Sequence, residues 1–369
     1  MNTMANTAPL TASDSPLAWA RRSCDTIMAR YAPSELPPAG RWHYHQGVFL
    51  QGMEKLWRAT GESAYYNYIK HYVDLYIPED GRIQVKDHLD DIMPGQLLLM
   101  LHAASGDAKY HRGAAFLRGL LDTWKTTLDG GFWHKDIYPN QMWLDGIYME
   151  GPFAVKYARQ YDEPALYDVV VKQALLMYSR MKDEQTGLLY HAWDASGQAP
   201  WANPVTGCSP EFWGRSVGWY GFALCEIIEY LPADHPERAA LIRIVGELAD
   251  SIRRFQDPAT GLWYQVVDKG ERPDNWLELS CSTLFVFTLS RAAREGYADR
   301  SLLESARRGY EGVLTRVSFD AAGGIVVPDI CIGTGVGDYA HYAARERKTN
   351  DLHGMATFVH MCMELAEPR

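Results

Sequence analysis

Two aspartates stand where a carboxyl group can do chemistry. Asp145 lies in "NQMWLDGIYMEG", residues 140–151, and Asp90 in "HLDDIMPGQ", residues 88–96. Asp145 opens an apolar run in which Ile147, Met149 and Phe153 read as the buried face of a helix. In that position it is either the helix cap or a general acid/base held at the mouth of a pocket. Other residues of functional type occur at comparable points of the chain: Tyr44, His134, Lys135, Trp143, His191, Trp213, Arg215, Trp219 and His353. These types move protons, hold anions or offer flat faces to a sugar ring. Each also has a plain structural reading: the aspartates as N-caps, His134 and His191 as exposed loop residues, Arg215 as half of an ion pair, the tryptophans as core. The coincidence of so many functional types at equivalent positions of successive segments favours a site. His134, His191 and Asp145 make one conceivable metal set, but no ligands have the tight spacing of a zinc helix, and no metal or cofactor is expected.

The elements that must position these residues repeat along the chain. Five units share a pattern of helix, short polar turn and second helix, beginning at "YHQGVFLQG", "DDIMPGQLLL", "LDGIYMEGPF", "RSVGWYGFAL" and "LSCSTLFVF". The first helix of each is apolar nearly all round and belongs inside; the second is amphipathic and belongs outside. The sixth unit is split, with an inner-type helix in the C-terminal "TNDLHGMATFVHMCMELA" and an outer-type helix in "PLAWARRSCDTIMARY" near the N-terminus. Packed together, these two close a ring. The predicted fold is therefore all-α, an (α/α)6 barrel of six helical hairpins. Gly-centred segments such as "LDGGFWHK", "DEQTGLLYHAW", "DPATGLWYQVV" and "DAAGGIVVPD" predict short β-hairpins on one rim. In such a ring every inner helix starts at the same end. Tyr44, His45 and Gln46, then Asp90 and Asp91, Trp143 and Asp145, Trp213, Arg215 and Trp219, Ser280 and Cys281, and His353 should converge there. The connections add His134, Lys135 and His191. Residues 1–15 are expected to be a flexible N-terminus and residues 16–369 a single catalytic domain.

Composition limits the classes of function. The 369 residues carry a net charge of −10 and no long basic run, which argues against nucleic acid and anionic membranes as partners. No apolar stretch reaches spanning length, and "MNTMANTAPLTASDSPLAW" lacks the basic and apolar regions of a secretion signal, so a cytoplasmic location is expected. The six cysteines are scattered without a CxxC pair, several of them inside apolar helical runs. Twelve Trp and 22 Tyr exceed what core filling needs and suit a sugar-binding cleft.

Taken in order, "WHYHQGVFLQG", "HLDDIMPGQ", "GGFWHKDIYPNQMWLDGIYM", "GLLYHAWD" and "FWGRSVGWYGFAL" resemble the unsaturated rhamnogalacturonyl hydrolases, glycoside hydrolase family 105, and the related unsaturated glucuronyl hydrolases of family 88. The resemblance runs from about Trp42 to "NDLHGMATF". It implies an (α/α)6 barrel, no metal, and hydrolysis that releases a 4,5-unsaturated uronic acid from the non-reducing end of pectin-derived oligosaccharides. Carried over by motif, it makes Asp145 the general acid/base. It makes Asp90, Tyr44, His134, Lys135, Trp143, His191, Trp213, Arg215 and Trp219 the partners in the pocket. His45 is given no role, since relatives can carry another polar residue there. Protonation of the substrate at C4 requires a protonated Asp145, and burial beside Trp143 and Asp90 is expected to raise its pKa. Either Arg215 or Lys135 would hold the sugar carboxylate. The alternatives are a glucuronyl hydrolase acting on glycosaminoglycan fragments and a non-catalytic sugar-binding protein. A monomer or weak homodimer is expected.

Overall fold

The computed structural model describes residues 10–86 and 88–367. Of the N-terminal stretch expected to be flexible, residues 1–9 lie outside the described residues. Among the described residues thirteen α-helices follow in chain order: α1 (Pro16–Arg30), α2 (Tyr44–Thr60), α3 (Ser63–Asp74), α4 (Gly95–Ser105), α5 (Ala108–Leu121), α6 (Asp145–Tyr161), α7 (Ala165–Met181), α8 (Gly214–Tyr230), α9 (Arg238–Arg254), α10 (Leu279–Arg294), α11 (Leu302–Arg316), the short α12 (Tyr339–Ala343) and α13 (Leu352–Ala366). Helices α2, α4, α6, α8, α10 and α13 pack each on the next, and α13 returns to α2, so they form a closed inner ring. Each carries an outer helix: α3 on α2, α5 on α4, α7 on α6, α9 on α8, α11 on α10, and α1 on α13. The split sixth unit thus closes the barrel as the repeat pattern predicts. Among the described residues no helix is long and apolar enough to cross a membrane.

Sequence explains both layers. Residues Gly214–Ile228 of α8 are buried without interruption, as are Leu279–Ala293 of α10, because these helices meet neighbours on every side. The outer α9 buries only the stripe through Leu241, Ile244, Val245, Leu248 and Ile252. Gly61 and Gly106 stop α2 and α4 in the left-handed conformation, each donating its N–H back to the last turn.

The inner space is filled rather than hollow. Glu226 is 1% exposed and accepts from Lys55 at 2.6 Å and Lys156 at 3.0 Å. Gln51 joins them by donating to Gln96 at 2.6 Å and accepting from Tyr148 at 2.8 Å. Lys55, Lys156 and Glu226 stand eleven or twelve residues beyond the starts of their helices, about 17 Å along the axis at 1.5 Å per residue. This charged plug closes the barrel below the rim where the helices begin. A buried charge cluster persists only when its members pair, as these do.

The rim strands differ from the local hairpins expected. Only "DAAGGIVVPD" forms one, β3 (Ser318–Phe319) against β4 (Ile325–Val326); before it in the chain, β1 (Gln141–Trp143) pairs antiparallel with β2 (Ala192–Asp194) of the next connection. β5 (Ile330–Cys331) likewise pairs with the distant β6 (Arg347–Lys348). "LDGGFWHK", "DEQTGLLYHAW" and "DPATGLWYQVV" close single bridges, Thr126 with Phe132, Lys182 with Leu189 and Tyr264 with Leu277. The Gly-centred turns form, but the strand N–H and C=O groups beyond them find better partners in the neighbouring unit. The connections are thereby stitched to one another around the rim.

The inner helices approach closely through glycines. A Cβ on Gly218 of α8 would stand 2.7 Å from Cβ of Leu284 on α10, whereas a Cβ on Gly119 of the outer α5 would meet nothing within 4 Å. We expect Gly218→Ala to lose stability, because overpacking costs about 1–3 kcal/mol against a helix-propensity gain of about 1 kcal/mol. Gly119→Ala should instead gain about 0.5–1 kcal/mol. Urea denaturation midpoints of the two variants check the contrast, and equal shifts would contradict the close packing of α8 on α10.

Candidate active site

The rim gathers the expected residues by three kinds of placement. Asp145 is the first residue of α6, and the N-cap place before it belongs to Leu144, with no side-chain cap bond. Asp145 is therefore not the cap of its helix. Its side chain stands instead at the positive end of α6, with Oδ2 3.3 Å from Nε2 of His191. β1 and β2 set that distance, since Leu144 N donates to His191 O beside the β1–β2 ladder. Asp90 sits in a 3-10 turn, Leu89–Asp91, held against the next connection by Leu89 N donating to His134 O.

The two carboxylates have different surroundings. Asp90 is 3% exposed, with Lys135 Nζ at 2.8 Å, His43 Nε2 at 3.5 Å and His134 Nε2 at 3.7 Å. Burial pushes its carboxyl up, yet Lys135 with His43 and His134 holds it well below the usual carboxylate range. Asp145 faces His191 alone at close range. The expectation that its pKa is raised is corrected: burial pushes it up, but the polar contact with His191, with the positive charge of Arg215 beyond it, leaves it below its ordinary value. In the free protein Asp145 is a carboxylate. His134, by contrast, is lowered to about 4 because burial outweighs Asp90, so it is neutral at neutral pH.

Tyr342 backs the His191 ring. Its Oη lies 2.6 Å from His191 Nδ1 and accepts from Gly337 N, and burial keeps the phenol protonated. If the phenol gives that proton to Nδ1, the imidazole N–H is on Nε2, the edge that faces Asp145. Aromatic rings line the space. His134 and Tyr138 stack on Trp143 at 4.6 and 5.1 Å, and His191 lies 4.7 Å from Trp213, which stacks on Tyr342 at 5.9 Å. Tyr44 stacks on His353 at 6.4 Å, and its phenol is within electrostatic range of Arg215, Asp90 and Asp145.

Arg215 is 2% exposed and sits over the Trp213 ring at 4.4 Å. Its guanidinium donates to the backbone carbonyls of Cys331 and Ile332, the latter at 2.8 Å. Among the described residues no carboxylate lies at ion-pair distance from it, whereas Lys135 is already paired with Asp90. Trp219 falls apart from this group: it lies one turn further into the barrel, stacked on Tyr148 at 4.7 Å. His353 bonds the Cys331 carbonyl through Nε2 at 2.9 Å, on the side of the rim nearest Tyr44.

Sequence reading missed Tyr342, Tyr138 and His43. Tyr342 belongs to "CIGTGVGDYAHYAARER", which has neither helical nor alternating period. Its density of glycine and aromatic residues was the available signal. His43 precedes the first residue of α2 and was masked by its neighbours Tyr44 and His45.

Comparison with known proteins gives the family. A family model described as Glycosyl Hydrolase Family 88 matches residues 19–367. The unsaturated rhamnogalacturonyl hydrolase YesR of Bacillus subtilis is 27% identical over 301 residues, covering 76% of this chain and 80% of that protein. An unsaturated 3S-rhamnoglycuronyl hydrolase of Formosa agariphila is 25% identical over 277 residues, 71% of this chain and 70% of its own length. A solved glycoside hydrolase of family 105 from C. acetobutylicum superposes with a TM-score of 0.90 at 35% identity, covering 94% of this chain and 99% of that one. By both the family match and this structural relative, the chain belongs to the glycoside hydrolases of families 88 and 105.

Proposed function

We propose that this glycoside hydrolase releases a 4,5-unsaturated uronic acid from the non-reducing end of rhamnogalacturonan oligosaccharides, with Asp145 as its one acid/base. The observation that carries the reading is the asymmetry of the two aspartates. Ordinary glycosidases use two carboxyl groups flanking the scissile bond. Here Asp90 is committed to Lys135 and two histidines, which leaves Asp145 as the carboxyl able to exchange a proton. An unsaturated uronide suits a single carboxyl, because its C4=C5 enol ether offers a site of protonation away from C1. The name borne by the Bacillus subtilis relative supports the rhamnogalacturonan side of the choice.

The steps follow from the charges. Arg215 lacks a carboxylate partner and takes the C6 carboxylate of the sugar, while Trp213 and Trp143 wall its ring. Trp219, one turn deeper, supports the floor. That incoming anion is a second negative charge beside Asp145, and like charge raises a carboxyl pKa. Binding therefore draws a proton onto Asp145. The acid gives it to C4, and positive charge develops at C5 and the ring oxygen. The regenerated carboxylate takes a proton from water as the water oxygen bonds to C5. The resulting hemiketal opens, and the aglycone leaves from C1. Asp90 positions Lys135, His43 and His134 around this exchange.

The test is loss of the conjugated uronate absorbance on an unsaturated rhamnogalacturonan disaccharide, with an unsaturated chondroitin disaccharide as competitor. We expect the first to be turned over faster; the reverse order would assign the enzyme to glycosaminoglycan fragments, and no turnover of either would end the reading. Asp145→Asn should stay folded, since position 145 makes no cap bond. It should lose at least about 10²-fold in kcat, the lower range for a general acid/base.

Proton uptake gives a pH signature. Since the free enzyme holds Asp145 below its ordinary pKa, it must gain a proton to react at any higher pH. kcat/KM should then fall about tenfold per pH unit through the neutral range, while kcat, which reports the complex, stays level further. A kcat/KM that is flat from acid to neutral pH would contradict this order of events.

The clamp is tested by substitution. Arg215→Ala should raise KM more than it lowers kcat, as for lost binding shared by ground and transition states. Lys135→Ala should act mainly on kcat, because it frees Asp90. Equal KM effects in both variants would refute the assignment of the carboxylate to Arg215.

A further inference from the structure

We propose that His45, Asp351 and His353 form a binding site for one transition-metal dication of the zinc type, at the seam where the last inner helix closes on the first. The site is separate from the proton-transfer residues and does not rest on the proposed reaction. Each of the three residues places one ligand atom within 4.8 Å of the other two. Two imidazoles and a carboxylate are a donor set for zinc and its neighbours rather than for magnesium or calcium.

The argument begins with a proton deficit at His353, which is fully buried. Its Nε2 is 2.9 Å from the carbonyl oxygen of Cys331, and its Nδ1 is 3.0 Å from Oδ1 of Asp351. Both neighbours are acceptors, and a neutral imidazole has only one N–H. With that N–H given to Cys331, Nδ1 turns a lone pair toward a carboxylate and has no hydrogen-bond partner. Burial leaves no water to separate the lone pair from the carboxylate. A metal ion resolves the conflict by direct bonds. Tetrahedral zinc bonds of about 2.0–2.2 Å place neighbouring ligand atoms about 3.3–3.6 Å apart, a few tenths of an ångström beyond the Nδ1 to Oδ1 spacing of 3.0 Å, which a small side-chain rotation supplies. The bond from Nε2–H to a backbone carbonyl is also the contact that orients metal-binding histidines.

The other two residues point the same way. Asp351 occupies the N-cap place of α13, yet its side chain makes no cap bond. Aspartate there normally caps, so its carboxylate is directed elsewhere, onto His353. His45 Nδ1 lies 2.9 Å from His43 Nδ1, and His43 Nε2 lies 3.5 Å from Asp90. If His43 donates from Nε2 to Asp90, it accepts from His45 at Nδ1, and His45 keeps a lone pair on Nε2. Arg215 and Lys348 oppose any cation at this place, so affinity comes from the three ligand bonds and is moderate. Linear spacing could not reveal the set, because position 45 is joined to 351 and 353 only by ring closure; the expectation of no metal came from that spacing and from the family resemblance, which bears on the reaction and not on this seam.

The test is calorimetric titration of chelator-treated full-length protein with zinc chloride, alongside thermal melting with zinc or calcium. We expect one zinc per chain, a higher Tm with zinc and no change with calcium. Asp351→Asn and His45→Gln should each weaken zinc binding by at least about tenfold, as loss of a metal-orienting group does. Having two variants guards against misfolding of one. No stoichiometric zinc binding, or zinc binding unchanged in both variants, would overturn the site.

Discussion

The contact of α13 with α2 is the constraint on which the rim depends. Six inner helices can present their first residues to one space only if the ring is closed, and closure is made by helices from opposite ends of the chain. His353 and Asp351 enter the rim on α13 and its N-cap place, and Tyr44 and His45 enter it on α2. An open array would leave those four residues facing solvent. The plug of Glu226, Lys55 and Lys156 supplies the complementary limit, since it seals the barrel beneath the rim and leaves one open end.

Within that space, a difference in charge pairing separates two aspartates of the same chemistry. Asp90 meets a lysine and two histidines, and Asp145 meets one histidine backed by Tyr342. A carboxylate paired with a lysine and surrounded by further polar groups keeps its charge over a wide pH range and serves to hold them. A carboxylate with one neighbour responds to any further charge brought near it. The low pKa of Asp145 in the free protein is then compatible with acid catalysis, provided that the charge of the sugar is part of the active arrangement.

Much of this was legible in the sequence, for identifiable reasons. The inner and outer helices differ in how much of their circumference is apolar, so the layers could be read from α8 and α10 against α9. The split unit was legible because α1 has the outer pattern and α13 the inner one. Asp145, His191 and Arg215 were found because they open helices or adjoin strands at repeated positions. The strand pairing was not legible: Gly-centred turns report local geometry, whereas β1 chose β2 across a full helical hairpin. The direction of the Asp145 shift was missed because burial can be read from apolar neighbours, while the approach of His191 depends on that same nonlocal pairing. Tyr342 had no period to announce it.

The last connection before α13 joins these points. It carries Tyr342, which bonds His191 Nδ1, and the Cys331 and Ile332 carbonyls, which receive Arg215. The Cys331 carbonyl also receives His353. One backbone oxygen therefore ties the guanidinium that would bind the sugar to the helix that closes the ring. β5 and β6 hold that oxygen in place, and Glu278 fixes the strand by accepting from Cys331 N at 2.9 Å and from the first N–H groups of α10. A displacement of α13 would reach Arg215 through this carbonyl before it reached Asp145. Ring closure and the placement of Arg215 are thus the same piece of structure, while Asp145 and His191 are placed by the β1–β2 ladder and meet that piece only at Tyr342.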